Sequence, residues 1–294
     1  MVKLAPSVYP QRCPDGSTGR GCNVWWFVRL LQGIPIWAAG LMLTAIGIAV
    51  SQLCVALVRR LAEVERRRRS NELIALVLSV VAVIYAVPLA LIAGEAWSDF
   101  TEARAAAADE AGAVARTMQV AASLGPEVAA ATRTELSAYA HAVIEQEWAE
   151  MTVGHRPAAA GRLLAQWHGR LLEAPPSPAT TRLLQELDGL GSARTGRILA
   201  VDEGLIGAIW WLIGMGGVIT LLLCAAAGVE DTVVHRIACG LVSMVIMSVV
   251  LLIVATDRPF HGVPRIPPDA MREVLATELG AAAAAPTRAE VPAT

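Results

Sequence analysis

Four stretches of the chain carry no Asp, Glu, Lys or Arg: Leu30–Val58 (29 residues), Leu73–Gly94 (22), Gly204–Val229 (26) and Ile237–Thr256 (20). A helix needs about 20 apolar residues to cross a hydrocarbon core of ~30 Å, so each stretch is long enough to span a bilayer. The first stretch begins only at residue 30, is longer than the apolar core of a typical leader, and is followed by six arginines. That is the wrong arrangement for a cleaved leader, so it is read as a retained helix.

Between the second and third stretches the pattern changes to helical periodicity with polar faces. Glu95–Leu124 is alanine-rich without proline and continues the second span out of the membrane, until Gly125-Pro126 breaks it. Leu136, Tyr139, Val143, Ile144, Trp148 and Met151 recur at spacings of three and four, which predicts an amphipathic helix. Leu163, Leu164, Trp167 and Leu171 predict another, and the run Ala174–Pro178 a hard break. Leu183, Leu184, Leu187 and Leu190 begin a further helix that leads toward the third span, although Gly189, Gly191 and Gly196 weaken its continuity.

The expected fold is therefore all-α: four transmembrane helices with a helical middle domain between the second and third. Its segments are an irregular N-terminal part (1–29), a first transmembrane pair with an arginine-rich loop (30–94) and the extramembrane domain (95–203). A second transmembrane pair (204–256), a short helical segment (257–280) and a low-complexity tail (281–294) follow.

Composition supports a membrane solvent. Hydrophobic residues make up 55% and charged residues 17% of the 294, against roughly 45–50% and about 25% in soluble domains. Disorder and a disulfide scaffold are excluded, and a net charge of −2 does not indicate a nucleic-acid binder. The near-neutrality is a cancellation. Residues 1–72 hold 10 basic and 4 acidic side chains, residues 95–204 hold 9 and 15, and residues 205–294 hold 5 and 7.

Six arginines (Arg59, Arg60 and Arg66–Arg69) crowd the loop 59–72, which the positive-inside rule places in the cytoplasm. The middle domain and both termini then lie outside. Trp25, Trp26, Trp97, Trp210, Trp211 and Phe260 all fall at span ends on one side, the pattern of an interfacial aromatic belt. Cys13 and Cys22 bracket a Pro/Gly-rich loop. A disulfide between them would need an oxidising compartment, and two unrelated thiols is the other reading. A single lysine beside 23 arginines suggests a high-GC bacterial genome, hence a bacterial cell membrane.

No constellation of residues points to an enzyme, a cofactor or a metal. The five histidines show no metal-ligand spacing, and no nucleophile elbow or phosphate loop occurs. His141 and Glu145 read as a surface pair four residues apart, and Glu145, Glu147 and Glu150 as solvated helix charge. Cys54, Cys224 and Cys239 fall within spans and read as packing residues. The polar side chains available in the spans are uncharged, Thr44, Ser51, Gln52, Ser79, Thr220, Ser243 and Ser248, expected to join helices or bond their own backbone. A coupled carrier would often show a charged side chain there; an anion path does not require one. Gly33, Gly40 and Gly47 in the first span, and Gly207, Gly214 and Gly228 in the third, form small-residue stripes for helix association. Pro88 interrupts the hydrogen bonding of the second span.

Taken in order, several pieces resemble the bestrophin-like domain family of bacterial membrane proteins. They are Asn71-Glu72 at the start of the second span, Tyr85 and then Trp97 and Phe100 along it, Glu110, and Glu147-Trp148 in the middle domain. Asp257-Arg258-Pro259-Phe260 with Gly262 follows the fourth span. The resemblance covers about residues 71–275. It implies an oligomeric, pentameric anion channel whose neck is lined by apolar residues of the second span, here Ile84, Pro88 and Leu91. The implied partners are the lipid bilayer, further copies of the chain and a small anion, with no nucleic acid. It also implies a cytosolic middle domain, opposite to the charge reading. The alternative function is a non-conducting membrane interaction or sensory module acting through the acidic domain, and after it a carrier for a small anion.

Overall fold

The structure, a computed structural model, describes residues 35–61, 70–152, 155–201, 205–227, 232–260 and 265–280. Cys13, Cys22, Gly33, Gly228, Gly262, Arg66–Arg69 and the tail lie outside them. Among the described residues every regular element is helical. In chain order they are α1 (Ile36–Leu61), α2 (Asn71–Leu124), α3 (Pro126–His141), a π-helical turn (Ala142–Glu147), α4 (Trp148–Thr152), α5 (Ala159–Glu173) and α6 (Pro178–Leu199). Then come α7 (Gly207–Ala226), α8 (Thr232–Thr256), and α9 (Asp269–Val274) with a second π-helical turn (Leu275–Leu279). Among the described residues four helices are long and apolar enough to cross a membrane: α1, α2, α7 and α8.

The second span and the alanine-rich segment are one helix, as the absence of a breaker requires. At 54 residues α2 is far longer than any bilayer needs; at 1.5 Å per residue it extends about 80 Å. It stops at Gly125, whose φ of 126° is open only to glycine, and Pro126 starts α3 at its first turn. By contrast, α6 does not run on as a helix into the third span: it ends at Leu199.

The chain forms two compact units. The first comprises residues 1–86 and 205–250, with α1, the start of α2, α7 and most of α8. Its packing is set by small residues. A Cβ on Gly47 of α1 would lie 2.5 Å from Met247 Cγ and 2.6 Å from Ser243 Oγ of α8, so only glycine allows this approach. On α7 the close approach falls at Gly216, where a Cβ would lie 2.3 Å from the Tyr85 ring. Gly214, the expected position, meets nothing within 4 Å. Within the chain the close contact falls on the Gly216 face of α7, because glycine spacing alone does not say which face a neighbour covers. Tyr85 also donates from its hydroxyl to the Ile213 carbonyl at 2.8 Å, satisfying a polar atom buried in an apolar span. Gln52 and Arg236 bond reciprocally: Arg236 Nε donates to Gln52 Oε1 (2.7 Å) and Gln52 Nε2 to the Arg236 carbonyl (3.1 Å). Ser79, Thr220 and Ser248 bond carbonyls of their own helices.

The second unit comprises residues 87–204 and 251–294. Its core is built on the small face of α2: Ala103, Ala107, Ala111, Val114, Met118 and Ala121 are all buried. Short side chains let neighbouring helices sit close. Against this face pack Leu136, Tyr139 and Val143, then Trp148 and Met151, then Trp167, and Leu187 and Leu190 of α6. The π-helical turn sets the middle of this pattern. The Trp148 N–H bonds the Val143 carbonyl, five residues back. One extra residue in the turn brings Glu147, Trp148 and Met151 onto the same buried side as Tyr139, leaving Ile144 only partly buried.

Candidate functional site

Two groups of residues carry the functional argument, one on the apolar part of α2 and one inside the helical unit. On α2, Tyr85, Leu89, Ala93 and Ala96 are buried by their own chain. The other side of the helix is exposed among the described residues. Ile84 is 67% and Leu91 69% exposed, Val83 and Val87 are exposed beside them, and Pro88 is half-buried. Pro88 has no N–H, so the Ile84 carbonyl loses its usual helical donor. Asn71 and Glu72, at the start of the helix, are exposed. Further along, Trp97 is exposed and stacks with Phe100, ring centroids 6.3 Å apart.

The second group is a buried ionic cluster drawn from four elements: Glu110 of α2, Tyr139 of α3, Glu147 of the π-helical turn, and Arg194 and Arg197 of α6. Glu110, Glu147 and Arg197 are all fully buried. Arg197 is the hub. Its Nε pairs with Glu110 Oε2, and its Nη2 reaches Glu110 Oε1 at 3.1 Å and Glu147 Oε2 at 2.6 Å. Its Nη1 lies 2.7 Å from Met151 Sδ, and its guanidinium carbon sits 5.0 Å from the Trp148 ring centroid, a cation–π placement. Tyr139 donates to Glu110 Oε1 at 2.6 Å. Arg194 Nη2 donates to Glu147 Oε1 (2.7 Å) and to the Pro157 carbonyl (2.9 Å). The Ala160 N–H completes the shell of Glu147 at 2.9 Å.

Two carboxylates and two guanidiniums thus cancel in charge, as burial demands. Burial alone would raise the Glu147 pKa, but the hydrogen bonds and charges of Arg194 and Arg197 outweigh it and hold the carboxyl below its ordinary range. The Tyr139 hydroxyl is pushed well up, by burial first and then by the adjacent Glu110 carboxylate. Burial acts to lower Arg197, yet Glu110 and Glu147 reverse this and raise it further.

The motif after the fourth span belongs to the same unit. Trp148 Nε1 donates to the Ile266 carbonyl (3.0 Å), and Phe260 meets the Trp148 ring edge-on at 5.9 Å. The Pro259 carbonyl accepts from the Ile266 N–H (2.9 Å). Asp257 and Pro259 are buried and Arg258 is half-buried. This corrects two expectations. Phe260 is 1% exposed within the helical core rather than docked at a lipid interface, because Trp148 offers it an aromatic partner. Glu147 is not solvated helix charge, although its neighbours Glu145 and Glu150 are exposed. The π-helical turn rotates it inward against two arginines. His141 and Glu145 form the surface pair, at 3.1 Å.

Sequence reasoning missed Arg194 and Arg197. A signal existed. On α6 the stripe Leu183, Leu187, Leu190 continues in step to Arg194 and Arg197, so helical spacing puts both arginines on the core face. Among the described residues no group of three or more His, Cys, Asp or Glu side chains is placed to hold a metal ion.

A family model described as the Bestrophin-like domain matches residues 45–271. Solved structures share the fold. A crystal structure of a bacterial Bestrophin homolog from Klebsiella pneumoniae superposes with a TM-score of 0.62 at 15% identity, covering 83% of this chain and 99% of that one. A second from the same organism gives 0.61 at 12%, covering 84% and 99%. A structure described as a membrane protein gives 0.61 at 16%, covering 80% and 95%. No curated protein matches the chain.

Proposed function

Because the chain belongs to the Bestrophin-like domain family, we propose that it is a passive anion channel, a homo-oligomer in which α2 helices from several copies surround the path. The observation that carries this reading is the uncovered side of α2. Ile84, Val87 and Leu91 are largely exposed among the described residues, and no Asp, Glu, Lys or Arg stands between Leu73 and Gly94. Apolar side chains converging on an axis form a neck that opens and closes by wetting, and ions crossing it meet no fixed countercharge to bind them. Ile84, Pro88 and Leu91 are the neck residues. The lack of Asp, Glu, Lys and Arg in the four apolar stretches is also what separates a passive path from a proton- or cation-coupled carrier.

The arginine-rich loop faces the cytoplasm in this reading, since six positive charges in a short loop resist translocation. Chloride flux from liposomes holding the purified protein tests the function. Flux that follows the chloride gradient is expected; none at any voltage or pH removes the channel. Native mass spectrometry tests the assembly, and a monomer or dimer would remove the axial path.

A further inference from the structure

Three cysteines lie among the spans, and two of them are not isolated. Cys224 stands two residues before the end of α7, and Cys239 lies in the second turn of α8, at the same end of the helical hairpin. Both are free thiols, with Sγ atoms 3.2 Å apart. His235, one turn earlier on α8, places Nε2 3.8 Å from Cys239 Sγ and 3.4 Å from the Ala225 carbonyl. Cys239 is 1% exposed, whereas Cys224 is half-buried. The third thiol, Cys54 of α1, is buried and free.

We infer that Cys224 and Cys239 are a redox-active pair, which hydrogen peroxide closes to a disulfide stapling α7 to α8 and which a dithiol reopens. The sulfurs already touch, so a modest side-chain rotation brings them to the bond length of about 2.05 Å. Peroxide meets the more accessible Cys224 first. The Cys224 sulfur attacks one peroxide oxygen; the S–O bond forms, the O–O bond breaks, and the departing hydroxide takes the thiol proton and leaves as water. The Cys239 sulfur then displaces hydroxide from the Cys224 sulfenic acid. The S–S bond forms, the S–O bond breaks, and the Cys239 proton, relayed by His235, converts the hydroxide to a second water. Two thiols and one peroxide give one disulfide and two waters. The inference does not depend on ion permeation.

The test uses the full chain in detergent micelles, treated with hydrogen peroxide, alkylated with N-ethylmaleimide and digested with trypsin. Cleavage after Arg197, Arg236 and Arg265 puts Cys224 in peptide 198–236 and Cys239 in peptide 237–265. The expected product is these two peptides joined, separated again by dithiothreitol, with Cys54 still alkylated. In Cys239→Ser no joined peptide forms and dimedone traps Cys224 as its sulfenic acid. Alkylation of both thiols after peroxide, a Cys224–Cys54 link, or oxidation of Cys224 to sulfinic acid while Cys239 remains would each overturn the pairing.

Discussion

Replacing Arg197 by methionine removes the one cation that two buried carboxylates share. The guanidinium makes two contacts to Glu110 and one to Glu147, and all three side chains are fully buried. Glu147 keeps Arg194 and the Ala160 N–H. Glu110 keeps the Tyr139 hydroxyl. Removing one partner of a buried ion pair costs about 3–5 kcal/mol, because the other charge stays desolvated. In a domain of this size each kcal/mol moves the melting midpoint by about 2–4 °C, so a loss of roughly 6–20 °C is expected. The double variant Arg197→Met/Glu110→Gln should recover at least half of it. Glutamine carries no charge and still accepts from Tyr139.

The pH dependence separates this account from simple loss of packing. In the parent protein the depressed Glu147 pKa contributes stability that is complete above the unfolded value near 4.3, and lost as pH falls through the lower folded value. In Arg197→Met, Glu147 loses one of the two cations that hold its carboxyl below the ordinary range. The deficit relative to the parent should therefore be full at neutral pH and shrink as pH falls below about 4.3, toward the folded Glu147 value. Far-UV circular dichroism melts in one detergent at several pH values measure both effects. A loss under about 1 kcal/mol, or a deficit independent of pH with no gain from the second substitution, would refute the reasoning.

Other outcomes follow from single contacts. Gly216→Ala drives a methyl into the Tyr85 ring and should cost about 1–3 kcal/mol in thermal unfolding, much of it regained in Gly216→Ala/Tyr85→Ala. Gly125→Ala forces a side chain onto a backbone at φ 126° and should lower the midpoint by the equivalent of about 1–3 kcal/mol. Ile84→Ala and Leu91→Ala remove exposed side chains, so midpoints should stay within ±0.5 kcal/mol while chloride flux rises if they form the neck. Cysteines introduced separately into the arginine loop and at Arg182 should react oppositely with an impermeant maleimide in intact cells. Labelling of the loop from outside would reverse the proposed orientation.

The sequence by itself determined the solvent, the helical class and the order of the spans. Hydrocarbon thickness imposes a length on any uncharged helix, and charges are excluded from it wherever it lies, so both are visible in one dimension. It also determined the run of α2 to Leu124 and its end at Gly125-Pro126, because chain breakers act locally. Only the tertiary structure decided which polar residues are buried. Glu145, Glu147 and Glu150 differ in nothing but position, and their fates part because a π-helical turn rotates Glu147 toward arginines about 50 residues further along the chain. The same holds for Phe260, which finds Trp148, and for Gly216, which rather than Gly214 meets Tyr85. A helical stripe fixes which residues share a face, but what covers that face is settled by distant parts of the chain.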